Sequence, residues 1–461
     1  MISSFLKKIA HTYRPIFPFG TIDFFFAFSR EALNSFLILY LVRGLYFSDA
    51  SASHFVGLKD VFAYILPFIG ALLWGGRVHE THSLIIGLTS MSVGCVLLSL
   101  PESYGLYLGL SFFLFGYSFG RPTLPLLVAK NFEDKNKRLQ ALYAFGAVAN
   151  LLGPLFIGFL TTGQGWRAIF LSLGAINMVG LLWTYGCFKL KYIQGFSSGS
   201  WRDLFKTSLS LILPLVCACF FFFPFLQPFL LWGSMTVCAF VLWHKNKGWP
   251  IEDKKNLKGF LIILGAMILY FSLQSQYYML FPLFLERWVD RTLFGLILPT
   301  PFFYMLDPLA LFLFAPFMGN LFKNTVATQG QEITKKITFS FAAMTTALAL
   351  AALSAFMPSL ALPLMALVYA FMFVGGFLLV PTAQSLIAQF EDRHARRILM
   401  GTLYLSMAFA RYGGGLIAHT LAGNSPEMSL PEFESAFIKL LMLSIALTLF
   451  YRLVLKKTLK S

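Results

Sequence analysis

Long apolar stretches separated by short polar segments dominate the hydrophobicity pattern of this chain. Each stretch holds about 20 residues, and a helix of that length, rising about 1.5 Å per residue, spans the roughly 30 Å of bilayer hydrocarbon. Membrane-crossing helices are therefore predicted along the whole sequence. Their predicted ranges are 18–42, 55–76, 82–100, 104–130, 139–162, 166–188, 206–223, 226–243, 257–285, 298–323, 336–357, 361–390, 396–422 and 434–455.

The order of these helices divides the chain into three parts. We predict one six-helix bundle in residues 1–190, a second in residues 257–461, and a linker with an extra transmembrane hairpin in residues 191–256. The prediction is an all-α polytopic membrane protein of about 14 membrane-spanning helices. Two six-helix halves joined by a central linker are the plan of the major facilitator superfamily, whose halves pack around a cavity at the membrane midplane.

Composition supports a membrane protein and excludes other classes. Hydrophobic residues make up 57% of the 461 residues and charged residues only 12%, whereas a soluble domain carries about 25% charged residues. The formal net charge is +16, but the basic residues are spread over loops, so no nucleic-acid partner is expected. The five cysteines fall in apolar segments without the spacing of a zinc site or of a disulfide framework, so we predict buried thiols and neither metal nor cofactor.

The distribution of positive charge predicts the orientation in the membrane. Lys and Arg concentrate before the first helix, between the fourth and fifth helices, in the central linker and at the carboxyl end, while alternate loops contain few. Because cytoplasmic loops carry the excess of basic residues, both termini are predicted to be cytoplasmic. No cleaved signal peptide is evident. We expect a multi-pass protein of the bacterial inner membrane.

Three stretches of sequence carry a more specific signal. They are "ERWVDRTLFGLILPTPFFYMLDPLALFLFAPF" (286–317), "GYSFGRPTLP" with the following "NFEDKNKRLQALYAFGAVANLLGPLFIGFL", and "LYLVRGLYFSDASASHFVGLKDVFAYILPFIGALL". These stretches resemble the proton-dependent oligopeptide transporters of the major facilitator superfamily, whose bacterial members also insert a two-helix hairpin between the halves. The resemblance implies a divergent family member that moves di- and tripeptides together with protons by alternating access.

The resemblance places Arg121 and Asp23 at important positions of the family. Arg121 takes the place of the helix-four lysine near the substrate carboxylate, and Asp23 falls on the first acid of the helix-one Glu-x-x-Glu-Arg motif. The second acid and the arginine of that motif fall on Phe26 and Ala27. A charge within the hydrocarbon costs about 2.5 kcal/mol or more unless it faces water or a partner. We therefore predict that Arg121 binds an anion in a water-filled cavity, since its planar fork binds a carboxylate through two hydrogen bonds.

Further ionisable and polar residues are candidates for the substrate site. By resemblance, Arg30 and Glu31 fall where the family has paired tyrosines, Gln276 is retained in helix seven, and Asp307 replaces an asparagine before the proline of helix eight. Arg411 lies in a stretch rich in small residues, where helices approach closely. The predicted substrate-binding residues are Arg30, Glu31, Tyr64, Arg121, Gln276, Asp307 and Arg411, and the predicted proton carriers are Asp23, Glu31 and Asp307.

Two substrate classes and one charged pair stay open at this stage. Small peptides are the leading substrate class, but the excess of arginines also suits a carboxylate-rich anion, such as an organic acid or a polycarboxylate siderophore. Lys59 and Asp60 lie close to the start of helix two, where they can reach water, and they either pair to stabilise the bundle or have a function within the membrane. An enzyme is not expected, because no nucleophile elbow, metal site or nucleotide site is present. The expected state is a monomer in the bilayer, with a small solute and protons as its partners.

Overall fold

The computed structural model describes residues 16–74, 80–100, 103–132, 135–163, 165–190, 212–223, 226–246, 251–310, 312–313, 329–390 and 393–458. Apart from one short hairpin, these residues are predominantly helical. The prediction of an all-α protein is therefore confirmed. Residues 191–211 of the predicted linker and residues 314–323 of the predicted tenth helix lie outside the described residues.

The helices follow the predicted apolar stretches closely at most positions. In the first half of the chain they are α1 (Phe17–Leu39), α2 (Asp49–Trp74), α3 (Glu80–Leu98), α4 (Ser103–Gly120), α5 (Thr123–Asn131), α6 (Lys135–Thr161) and α7 (Trp166–Lys189). The predicted hairpin corresponds to α8 (Ile212–Phe222) and α9 (Gln227–Asn246). The rest are α10 (Ile251–Gln274), α11 (Leu280–Trp288), α12 (Gln329–Phe356), α13 (Ala361–Ala388), α14 (Arg393–Ala422) and α15 (Leu430–Thr458).

The prediction of one unbroken helix over 104–130 is wrong. Helix α4 ends at Gly120 and α5 begins at Thr123, with Arg121 and Pro122 between them. Pro122 has no backbone N–H to donate, so the regular helical hydrogen bonds stop there. The Leu124 N–H donates to the Arg121 carbonyl at 3.1 Å, a bond of the tighter 3₁₀ type. The break leaves Arg121 at the junction of two helical segments.

The predicted helix over 257–285 is also interrupted. Helix α10 ends at Gln274, a 3₁₀ turn covers Ser275–Tyr278, and α11 begins at Leu280. Interrupted helices in transporters leave backbone groups and polar side chains available at membrane depth. The interruption contains Gln276, one of the predicted site residues.

A two-stranded hairpin follows α11 and was not predicted. Strands β1 (Thr292–Leu293) and β2 (Leu296–Ile297) pair antiparallel. Phe294 and Gly295 connect them with φ of 49° and 77°, as a type I′ turn requires, and glycine adopts such values at little cost. Nearby, the Asp290 carboxylate accepts the Thr292 N–H at 2.9 Å, and hydrogen bonds from the Thr292 hydroxyl and N–H hold the pKa of Asp290 below its ordinary value.

The apolar helices have the length and composition of membrane spans. Among the described residues, eight helical segments are long and apolar enough to cross a membrane. Large apolar side chains such as Phe229, Trp243 and Leu453 are exposed on the protein surface, as expected for groups that face lipid. The chain is a multi-pass integral membrane protein.

The described residues form two compact units. Unit one comprises the described parts of Met1–Phe36 and Ile65–Pro224, and unit two comprises those of Leu37–Tyr64 and Phe225–Ser461. Residues Asp49 to Tyr64 of α2 thus pack with unit two, although they precede most of unit one in the sequence. The division predicted from the sequence, at residues 190 and 256, stays a prediction.

Candidate functional site

Helix α1 presents three charged side chains within unit one. Asp23, Arg30 and Glu31 are seven and eight residues apart, and a helix of 3.6 residues per turn brings positions with this spacing to the same face. Asp23 is buried, with a side chain only 4% exposed. A buried carboxylate requires a partner, and its partner comes from α4.

Arg121 supplies that partner. Its Nε donates to Asp23 Oδ1 at 2.7 Å and its Nη2 donates to Asp23 Oδ2 at 3.2 Å, so the two groups form a bidentate ion pair. The Arg121 side chain is 23% exposed. Arg121 was predicted to bind an external anion. In the structure its guanidinium instead binds a carboxylate of its own chain.

Tyr117 joins this ion pair to a second one. Its hydroxyl oxygen accepts hydrogen bonds from Nη1 of Arg121 at 2.5 Å and from Nη1 of Arg30 at 2.6 Å. Both guanidinium groups also lie near the Tyr117 ring, 5.1 Å (Arg30) and 5.6 Å (Arg121) from its centroid. Arg30 in turn forms an ion pair with Glu31 at 2.9 Å. The cluster therefore contains two acids and two arginines around one phenol.

Gly146 of α6 allows the backbone to approach the Asp23–Arg121 pair. A Cβ added at Gly146 would lie 2.7 Å from Asp23 Oδ2 and 3.0 Å from Arg121 Nη2, which is too close for a side chain. Sequence reasoning missed both Tyr117 and Gly146. Tyr117 was detectable in principle, because it precedes Arg121 by four residues and such pairs meet on one helix face. Nothing in the local sequence distinguishes Gly146.

Unit two contains the third predicted arginine, Arg411, on α14. Its side chain is buried, its Nη1 donates to Ser275 Oγ at 3.2 Å, and Tyr64 is a further hydrogen-bond partner of the guanidinium. The rings of Tyr278 and Phe271 lie 5.5 Å and 6.0 Å from its central carbon. The structure thus brings together two predicted site residues, Tyr64 and Arg411, and adds partners from the interruption after α10.

Lys59 and Asp60 lie on α2 in the same unit. Nζ of Lys59 is 2.7 Å from Asp60 Oδ1, and both residues are buried. The structure thus shows the pair, with both side chains buried and not at the water near the helix start, and a functional role for them stays a prediction. Helix α2 begins at Asp49, six residues before the predicted start at residue 55, so both side chains lie deeper in the helix than expected.

Gln276 and Asp307 occupy different surroundings in unit two. Nε2 of Gln276 donates to the carbonyl of Gly414 at 3.1 Å, so this side chain connects the 3₁₀ turn to α14. Asp307 follows the 3₁₀ turn Thr300–Met305 and interacts electrostatically with Tyr277 and Tyr369. The rings of Tyr277 and Tyr369 are 4.4 Å apart at their centroids. Asp307 therefore lies beside an aromatic cluster, whereas the Gln276 side chain is bonded to the backbone of α14.

A third group of charges lies at the ends of α2 and α11 in unit two. Arg287 donates from Nη1 and Nη2 to the two oxygens of Asp49, at 2.5 Å and 2.8 Å, and the Met428 N–H donates to Asp49 Oδ2 at 2.8 Å. The Asp49 side chain is completely buried. Asp49 therefore ties the start of α2 to the end of α11 and to the segment before α15.

The described residues contain no group of three or more His, Cys, Asp or Glu side chains placed to hold a metal ion. The charged clusters consist of ion pairs, phenols and amides, which hold protons and bind charged ends of organic solutes. Such groups suit recognition and proton exchange more than bond-breaking chemistry.

Comparisons with known proteins give this arrangement a context. No protein-family model matches the chain. The sequence is 21% identical over 448 residues to dipeptide and tripeptide permease A of Erwinia pyrifoliae, covering 91% of this chain and 89% of the permease. It is also 21% identical over 447 residues to dipeptide and tripeptide permease A of Escherichia coli, covering 91% of this chain and 87% of that protein.

Solved structures share the fold over nearly the full length. A bacterial homologue of the human drug peptide transporters PepT1 and PepT2 superposes with a TM-score of 0.79 at 18% identity, covering 97% of this chain and 99% of the homologue. A POT family transporter in complex with 5-aminolevulinic acid has a TM-score of 0.76 at 17% identity, covering 96% of this chain and 97% of that transporter.

The structural likeness confirms the prediction of the fold. This chain shares its helical fold with solved peptide transporters over nearly its full length. The family resemblance does not supply the partners of Arg121 and Arg411. Those partners come from the geometry described above.

Proposed function

We propose that this protein is a divergent proton-dependent oligopeptide transporter, which moves di- and tripeptides across the membrane by alternating access with a proton gradient as the driving force. The observation that carries the proposal is the similarity over 91% of the chain to two permeases named for dipeptides and tripeptides. A structural relative with bound 5-aminolevulinic acid, a small amino acid, supports a solute of comparable size. Alternating access is the usual mechanism of the superfamily fold.

Asp23 is the first candidate for the proton carrier. The cluster of Asp23, Arg121, Arg30 and Glu31 has two negative and two positive formal charges, so it is neutral when both acids are ionised. A proton on Asp23 would remove the charge that binds Arg121 and free the guanidinium. Protonation and release of Arg121 would then be linked, which is the requirement for coupling a proton to a conformational change.

Glu31 and Asp307 are proposed as further proton carriers. Glu31 is paired with Arg30, whose side chain is 33% exposed, so this pair is the more accessible of the two in unit one. Asp307 lies beside a cluster of tyrosine hydroxyls, which exchange hydrogen bonds with either state of a carboxyl group. Exposure to water is needed at some stage for any carboxyl group that loads and releases a proton.

Peptides are proposed in preference to carboxylate-rich anions. The reason to consider a polycarboxylate was the excess of Arg30, Arg121 and Arg411 over acids. Arg30 and Arg121 each form an ion pair with an acid of unit one, so their charges are already compensated. A solute with several carboxylates would have to displace both acids, whereas a peptide carries a single main-chain carboxylate.

The cellular context follows from the loop charges and is also a proposal. We propose that the protein lies in the bacterial inner membrane with both termini in the cytoplasm, because basic residues concentrate in the alternate loops on that side. We propose a monomer as the transporting unit, although one structural relative was crystallised as a tetramer. Size measurement of the purified protein in detergent tests the monomer.

Transport by reconstituted protein tests the proposed function. Purified protein in proteoliposomes with an alkaline interior should accumulate labelled dialanine with saturation, and dissipating the pH gradient should stop accumulation while counterflow continues. Citrate in excess should compete poorly and unlabelled tripeptide well. Equal accumulation with and without the pH gradient would contradict proton coupling. Saturable uptake of citrate with no uptake of peptides would favour the carboxylate-rich alternative.

A further inference from the structure

Arg411 differs from the other two predicted site arginines in its partners. Arg121 is bound to Asp23 and Arg30 to Glu31. Among the described residues, no carboxylate lies within ion-pair distance of Arg411, whose direct polar partners are the hydroxyl groups of Ser275 and Tyr64. Arg411 is thus a buried cation whose immediate partners are all neutral.

The nearest acid is already engaged. Asp60 interacts electrostatically with Arg411, but its carboxylate lies 2.7 Å from Nζ of Lys59. Lys59, Asp60 and Arg411 together carry one positive charge in excess. Arginine does not lose its proton in proteins, so this charge persists, and a buried charge without a countercharge is unfavourable. A mobile anion would compensate it.

One edge of the Arg411 guanidinium has the geometry for that anion. Within the described part of the chain, Nε of Arg411 is buried and has no hydrogen-bond partner. Arg121 uses the same atom, Nε, together with Nη2 to hold the two oxygens of Asp23. In the same way, the Nε edge of Arg411 fits a carboxylate through two parallel hydrogen bonds. The flanking residues Tyr64 and Tyr278 are partly exposed.

We propose that Arg411 binds the carboxylate of the transported solute, with Tyr64 and Tyr278 beside it, and that Arg121 does not. The identity of the solute as a peptide rests on the proposed function, whereas the anion site rests on the geometry of unit two. Arg121 then serves the proton-linked ion pair with Asp23. The anion-binding task that the sequence assigned to Arg121 thus falls to Arg411.

Binding of matched peptides to the purified full-length protein tests this assignment. Wild-type protein should bind dialanine at least tenfold more tightly than dialanine amide, which lacks the carboxylate charge. Arg411→Gln should bring this ratio close to one, and Arg411→Lys should preserve part of it. The matched control is Arg121→Gln, the same change at an arginine that already has an acid, and it should retain the wild-type ratio. A ratio that survives Arg411→Gln, or that only Arg121→Gln removes, overturns the proposal.

Thermal unfolding in low-salt detergent solution separates a binding role from a structural one. Because Arg411→Gln removes a buried charge without a countercharge, its Tm without ligand should equal or exceed that of the wild type. A clear decrease in Tm would mean that Arg411 stabilises the fold by itself, which also overturns the proposal. Sodium acetate should raise the Tm of the wild type and of Arg121→Gln but not that of Arg411→Gln.

The acetate measurement also separates this proposal from the proposed function. If acetate stabilises the wild type through Arg411 but dialanine neither binds nor is transported, the anion site stands and the peptide assignment fails. If dialanine is transported, and the wild type and Arg411→Gln bind it in preference to dialanine amide by the same ratio, the peptide assignment stands and the Arg411 site fails. Sodium chloride as a third additive distinguishes a carboxylate site from a site for inorganic anions, because only the former discriminates acetate from chloride.

Discussion

The Tyr117 hydroxyl accepts a hydrogen bond from Arg121, four residues later along the chain, with 2.5 Å between the oxygen and Nη1. The same oxygen accepts a hydrogen bond from Arg30 of α1 at 2.6 Å. A phenol oxygen has two lone pairs, and both are used here by guanidinium groups. Tyr117 therefore connects the Asp23–Arg121 pair to the Arg30–Glu31 pair, and a change at one pair is expected to reach the other.

Tyr117→Phe tests this connection because it keeps the ring under both arginines and removes only the shared oxygen. A hydrogen bond to a charged group contributes about 1.5–3 kcal/mol, so we expect proton-driven peptide accumulation to fall roughly tenfold or more while counterflow persists. Uptake at several pH values in proteoliposomes measures the effect. Tyr107→Phe, the same change on the same helix at a residue that stacks on Phe221, is the control. Equal accumulation in both variants would refute the connection.

Asp23→Asn tests proton coupling through the buried ion pair. The amide has nearly the shape of the carboxylate but cannot carry a charge or exchange a proton in the physiological range, so we expect uphill uptake to be lost and counterflow to remain. Glu31→Gln and Asp307→Asn, measured in parallel, rank the other two candidates. If all three variants still concentrate dialanine against a gradient, coupling through these carboxyl groups is excluded.

Gly146→Ala tests the close approach of α6 to the Asp23–Arg121 pair. The added Cβ would lie 2.7 Å from Asp23 Oδ2, so the pair must shift, and overpacking of this kind costs about 1–3 kcal/mol. We expect a lower Tm in detergent and reduced proton-driven uptake. The control is Gly186→Ala in α7, where the added Cβ has no described atom within 4 Å and where alanine favours the helix. A Tm for Gly146→Ala equal to that of the control would show that the pair tolerates the displacement.

Asp49→Ala tests the buried charge cluster at the ends of α2 and α11. The change leaves the Arg287 guanidinium and the Met428 N–H without the acceptor that they share. Removing one partner of a buried ion pair costs about 3–5 kcal/mol, so we expect a marked decrease in the free energy of unfolding. The double variant Asp49→Ala/Arg287→Met should be less destabilised than the single one, because it leaves no unpaired charge. Additive losses in the double variant would mean that the pair itself contributes little.

The sequence determined the class of the protein and most of the helices. An apolar stretch of about 20 residues in a bilayer has few stable conformations other than a helix, because its backbone must satisfy its own hydrogen bonds within lipid. This constraint is local, because the composition of each stretch alone determines that it forms a membrane helix. For the same reason the predicted ranges agree with helices such as α3, α7 and α15 to within a few residues.

The positions of the helix breaks depended on more than local hydrophobicity. The stretches 104–130 and 257–285 are predominantly apolar, and their overall hydrophobicity does not indicate the interruption at Arg121–Pro122 or the 3₁₀ turn at Ser275–Tyr278. Pro122 was a visible signal for the first break. The second has no comparable local signal, and packing of the turn against α14, through Gln276 and Gly414, accompanies it.

Only the tertiary structure decided what each intramembrane charge does. Asp23 and Arg121 are 98 residues apart in the sequence, and Ser275 and Arg411 are 136 apart, so no pattern along the chain pairs them. The sequence showed three arginines that each needed an anion. In the folded protein Arg30 and Arg121 have acidic partners, whereas Arg411 has neutral hydroxyl groups. The electrostatic free energy of a buried charge depends on the groups within a few ångströms of it. The role of each arginine therefore depends on the fold.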